Sequence, residues 1–85
     1  MENTDNTEEK KELTFGQKAV GVSFNLSQNP SVAKCKQQFA DIIDDLNGFR
    51  NDPLVPSEAK RHASIAITEL ETAQMRAVKA LTWVE

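Results

Sequence analysis

Residues 50–56 read RNDPLVP, and the two prolines in this stretch decide most of what the 85-residue chain can become. Pro53 and Pro56 have no amide hydrogen to donate and clash with the preceding turn, so no helix runs through them. A long helix-compatible segment lies on each side. Upstream, NPSVAKCKQQFADIIDDLNGFR carries Val32, Cys35, Phe39, Ile42, Ile43, Leu46 and Phe49 at spacings that are mostly three and four. That spacing puts the apolar side chains on one face of a helix. Asn29 is placed to cap its orphan amides, and Pro30 fits the first helical position, where a missing N–H costs nothing. Gly48 weakens the far end. Downstream, Ser57 opens a second run that reaches Glu85 without proline or glycine, and Glu58 suits its first turn.

The second run has two faces. Ala63, Ala66, Ile67, Leu70, Ala73, Ala77, Leu81 and Val84 form one, suited to pack on the first helix across the short link. The fold expected is all-α: an antiparallel helical hairpin behind an irregular N-terminal arm. Ile65, Thr68, Thr72 and Met75 form the other face, and a lone hairpin has no third element to cover it. A chain this small, with no disulfide framework, commonly gains core by oligomerising. The alanines of the second helix allow close approach of another copy, so a homo-oligomer is expected. The arm itself, LTFGQKAVGVSF, has no long period and reads as short extended pieces or irregular chain.

Charge divides the chain at residue 12. The tip holds Glu2, Asp5, Glu8, Glu9 and Glu12 against Lys10 and Lys11, which accounts for the whole net charge of −3. Residues 1–12 therefore read as a disordered acidic tail, and 13–85 as a neutral folded domain. A neutral body lacks the clustered cations that duplex nucleic acid demands. No apolar run approaches the ~20 residues that cross a bilayer, so neither duplex nucleic acid nor a membrane is an expected partner. The single cysteine, Cys35, fits a reducing compartment and an apolar helix stripe.

Catalytic constellations are not in view. His62 is the one histidine, no second ligand sits at metal spacing, and neither Gly16 nor Gly21 opens a phosphate loop. Asp44 and Asp45 point in different directions and read as solvated polar surface. No enzyme activity, metal or cofactor is expected. Binding remains. Phe24, Asn25, Ser27 and Gln28 make an aromatic-and-amide loop that runs into the start of the first helix, close to Lys34 and Lys36. Arg61, Ser64, Thr68 and Thr72 line up along the second helix. A flat ring, amides, hydroxyls and a few cations together suit a nucleotide, with stacking for the base and charge for the phosphate. Taken singly, Phe24 also reads as a loop anchor and the hydroxyl stripe as a helix–helix seam. A helical interaction module that docks a host protein through the Ile65–Met75 face, without nucleotide, is the rival reading.

The chain also resembles a known family. GVSFN leading into VAKCKQQFADIIDDLN, followed by SEAKRHASIAITELETAQMRAVKALT, is similar to the small phage proteins of the anti-CBASS type 2 family, whose hairpin domain is shared with anti-Thoeris sponges. The most specific stretch is AITELETAQMRAVKALT. The resemblance implies a homohexamer, in the host cytoplasm, that sequesters cyclic dinucleotides such as cyclic GMP-AMP and so keeps them from the host's defence effector. It implies ligand pockets between protomers, an arm aromatic that stacks on a base, and a lysine near the start of the first long helix. Lys36 matches that lysine. Gln38 stands two residues on, where relatives often carry threonine. Either Phe24 or Phe15 matches the aromatic. The arginine that serves a second, cyclic-trinucleotide site in some relatives has no counterpart one turn before Thr68 or Thr72. Arg76 stands where many relatives have tryptophan, and Leu26 and Gln28 stand where the loop often has proline and glycine.

Overall fold

The computed structural model describes residues 12–25 and 28–85. Three helices follow one another: α1 (Phe15–Val20), α2 (Pro30–Arg50) and α3 (Ser57–Leu81). No strand occurs among the described residues. The acidic tip, apart from Glu12, and Ser27 of the loop lie outside them.

The ends of the two long helices follow from their sequence. The Asn29 side chain accepts hydrogen bonds from the amides of Ser31 (2.8 Å) and Val32 (3.3 Å), with Pro30 at the first helical position. The α2 C-terminus closes on Asn51, whose N–H reaches back to the last carbonyls. α3 starts directly after Pro56, and Glu58 in its first turn accepts from Arg61 at 2.7 Å. The helices run antiparallel: Arg50 bonds Ser64 near the link, Ile43 and Ile67 share the core, and Lys36 and Gln74 line one cleft further along.

The arm differs from the irregular chain that its composition suggests. Residues 15–20 form a helix, because Thr14 and Gln17 make a capping box: the Gln17 amide donates to Thr14 Oγ1 and the Thr14 amide to Gln17 Oε1, each at 3.0 Å. Gly21 ends the helix in the left-handed region (φ 63°, ψ 52°), and the Val22 amide bonds back to the Gln17 carbonyl. Gln17 and three flanking residues thus supply what the six-residue helix alone could not nucleate.

Docking of α1 rotates the expected seam. The buried line of α2 is Val32, Lys36, Ala40 and Ile43, while Ile42 and Phe49 stay about half exposed. The core holds Val20, Ala40, Ile43 and Ile67, with Ala19, Val22, Phe39, Leu46 and Leu70 packed around it. On α3, Ala63 and Ile67 are buried, but Ala73 and Leu81 face outward, and Val84 lies exposed beyond the helix end. The cause is a close backbone approach. Gly16 lies so near α2 that a β-carbon there would stand 2.1 Å from the Ala40 carbonyl oxygen. The Gly16 amide donates to Asp44 Oδ1 at 2.6 Å, so Asp44 is an anchor for α1 and not the solvated surface residue its sequence suggests. The second face of α3 remains uncovered, with Ile65 and Met75 exposed.

Gln28 adopts φ 53°, a left-handed conformation that glycine takes at less cost.

Two glycines give a paired test. Gly16→Ala should destabilise the fold by roughly 1–3 kcal/mol through overpacking. Gly48→Ala, where the added carbon meets nothing within 4 Å, should stabilise by roughly 0.5–1 kcal/mol. Urea denaturation of both variants measures the difference.

Candidate ligand-binding cleft

The functional geometry starts from a lysine in a core position. Lys36 lies between Val32 and Ala40 on the buried line of α2 and is only 5% exposed. Its ammonium turns toward the turn that follows α1. There Nζ donates to the carbonyls of Gly21 (3.0 Å) and Phe24 (2.5 Å) and stands 5.7 Å from the centre of the Phe24 ring. Among the described residues no carboxylate lies within ion-pair distance of it. The carbonyls and the ring face disperse the charge without cancelling it, and two bonds leave one of the three ammonium hydrogens for another acceptor.

These groups border a cleft of about 540 Å³, within the size range of small-molecule sites. α1 and its turn give Lys18, Val20, Gly21 and Phe24; α2 gives Lys36; α3 gives Glu71, Gln74, Met75 and Val78. Phe24 is 68% exposed, so most of its ring is open to a partner. Gln74 is 5% exposed, yet its side chain has no hydrogen-bond partner among the described residues.

The remaining sequence candidates are placed elsewhere. Phe15 sits at the opposite end of α1 under the Arg50 guanidinium, whose carbon is 5.3 Å from the ring centre. Arg50 also donates to Asn47 and to Ser64 Oγ, each at 3.0 Å, so Phe15 belongs to a clamp near the link. Asn25 spends its amide on the backbone of Asn29, donating to the carbonyl (3.0 Å) and accepting from the N–H (3.2 Å). It shapes the approach to α2 and does not border the cleft. Gln38 lines a separate groove with Ser31, Cys35 and Ala77. Arg61 pairs with Glu58 near the start of α3. Thr68 donates to the Ser64 carbonyl of its own helix at 3.3 Å, as Thr72 does to Thr68. The structure therefore brings Phe24 and Lys36 together and leaves Phe15, Asn25, Gln38, Arg61 and Thr68 apart from them.

Sequence reasoning missed Lys18, Glu71 and Gln74. Gln74 carried a readable sign: it falls four residues after Leu70 and seven after Ile67, on the stripe that packs against α2. A polar side chain there interrupts an apolar face, as Lys36 does on α2. Among the described residues no cluster of three His, Cys, Asp or Glu could hold a metal, and no helix is long and apolar enough to cross a membrane.

The helical hairpin thus carries a ring and a cation side by side in a cleft on its flank. The hairpin-domain model of the Acb2/Tad1 family matches residues 17–82, and the chain belongs to that family. This is a family of phage anti-defence sponges that sequester nucleotides. No curated protein and no solved structure matches the chain.

Because Lys36 holds two backbone carbonyls, it stabilises the turn even without a ligand. Lys36→Met should lower unfolding free energy by roughly 1.5–3 kcal/mol, the range for hydrogen bonds to a charged group. It should also accelerate amide exchange at Val22 and Phe24 more than in α3, measured by hydrogen–deuterium exchange.

Proposed function

We propose that this protein binds cyclic dinucleotides, cyclic GMP-AMP among them, and holds them away from the CBASS effector of the infected host. The observation that carries the reading is the Lys36–Phe24 pair: an almost buried cation with no carboxylate in ion-pair reach among the described residues, beside a largely exposed ring, in one cleft. A cyclic dinucleotide needs these two things together. Its phosphates seek a desolvated cation. Its bases seek a flat apolar face. Membership of the Acb2/Tad1 family points the same way.

The protein acts by retention and leaves the ligand whole. It works in the host cytoplasm, where the messenger is made, as a homo-oligomer that we take to be a hexamer. The uncovered α3 face with Ile65 and Met75 supports association, and a neighbouring copy seated there would deepen the cleft that Met75 borders. Of the two aromatics, Phe24 is the stacking ring and Phe15 the anchor, because Phe15 is already engaged by Arg50.

Calorimetry and light scattering test the reading together. Cyclic GMP-AMP should bind and be recovered intact after heat denaturation. Phe24→Ala should weaken binding by roughly 1–3 kcal/mol, whereas Phe15→Ala should lower the melting temperature and leave binding in place. The mass in solution should be a multiple of the 9.5 kDa chain. A monomer, or a chain that binds host protein and no cyclic dinucleotide, would replace the sponge with an interaction module.

A further inference from the structure

The cleft contains one group that an anion site does not explain. Glu71 borders it together with Lys18 and Lys36, and its carboxylate makes no hydrogen bond or ion pair among the described residues. One turn further along α3 is Gln74, 95% buried and equally without a partner among those residues. A carboxylate near the expected position of phosphates opposes binding unless the ligand brings N–H donors to it. A buried amide without a partner carries a desolvation penalty unless the ligand meets it with a hydrogen-bonding group. Both costs point to one kind of ligand surface.

We infer that Glu71 and Gln74 together read the Watson–Crick edge of a guanine. This rests on the cyclic dinucleotide reading above and names the base within it. Residues three apart on a helix are neighbours on its surface. A carboxylate offers two acceptors, and an amide nitrogen offers donors. Guanine presents, in order, the amino group on C2, the N1–H and the O6 acceptor. Its two donors match the Glu71 carboxylate, and O6 matches the Gln74 Nε2–H. Adenine offers that edge one amino group and one ring acceptor. It satisfies Gln74 but leaves the carboxylate facing a carbon-bound hydrogen. The guanine would stack on Phe24 while Lys36 meets a phosphate.

Charge alone predicts the reverse of what base reading predicts. If Glu71 only repels phosphate, Glu71→Gln strengthens every cyclic dinucleotide alike. If it reads guanine, the same change weakens cyclic di-GMP and leaves cyclic di-AMP equal or tighter. Calorimetry with the full chain should show cyclic di-GMP bound at least about tenfold tighter than cyclic di-AMP, the scale of one good two-bond base contact. Glu71→Gln and Gln74→Met should each erase most of that ratio. Gln74→Met should do so with an unchanged or higher melting temperature, because it removes a buried amide without a partner, and this separates reading from a structural role. A wild-type protein that binds both ligands equally, or a ratio that survives Glu71→Gln, overturns the guanine assignment and leaves the sponge reading standing. A wild-type protein that binds neither overturns both.

Discussion

The approach of Gly16 to the backbone of Ala40 is the contact on which the rest depends. Only a residue without a β-carbon lets α1 lie this close to α2, and the Asp44 carboxylate holds it there through the Gly16 amide. From that seat Val20 enters the core beside Ile43 and Ile67. Gly21 and Phe24 then present their carbonyls to Lys36. A six-residue helix with no tertiary contact would melt. Here it completes a core that a two-helix hairpin leaves open, and in the same step it builds one wall of the cleft.

The cleft balances opposed charges in a confined space. Lys18 and Lys36 border it on one side and Glu71 on the other. The Lys36 cation is accommodated by dipoles and a ring face, so its charge is still available to a ligand. Carbonyl dipoles hold an ammonium in place without neutralising it, whereas a paired carboxylate would have cancelled it. The same two bonds fix the turn that carries Phe24, which gives ring and cation a set distance before any ligand arrives.

Much of this was legible in the sequence, and the misses share a cause. Asn29, Pro30, Pro53 and Pro56 marked the helix ends because caps and prolines act locally. The pairing of Phe24 with Lys36 was also foreseeable from their spacing around a short loop. The α1 helix was not, since its stability comes from Thr14, Gln17, the Gly21 cap and a docking surface on α2, while Gly16 lowers its own propensity. The seam was misplaced for a related reason. Periodicity weighs Ile42 and Phe49 by their size, but the true line runs through Ala40, a small residue that pays no attention to hydropathy scales and is fully buried by the neighbouring glycine. Gln74 and Lys36 escaped the apolar pattern because both are polar residues in core register. That irregularity is itself what marks the cleft.

Arg50 gives the molecule a stiff end and a soft end. Its guanidinium touches Phe15 of α1, Asn47 of α2 and Ser64 of α3, so one side chain ties three helices beside the link. The far end of α1 is held to α2 by the two Lys36 bonds, in a turn that is partly open to solvent. The two ends of α1 therefore resist loosening unequally. Losing the two Lys36 bonds would release only the turn that bears Phe24, whereas losing Arg50 would loosen all three helices at once. A local excursion of this molecule has its free edge at Lys36 and its fixed edge at Arg50.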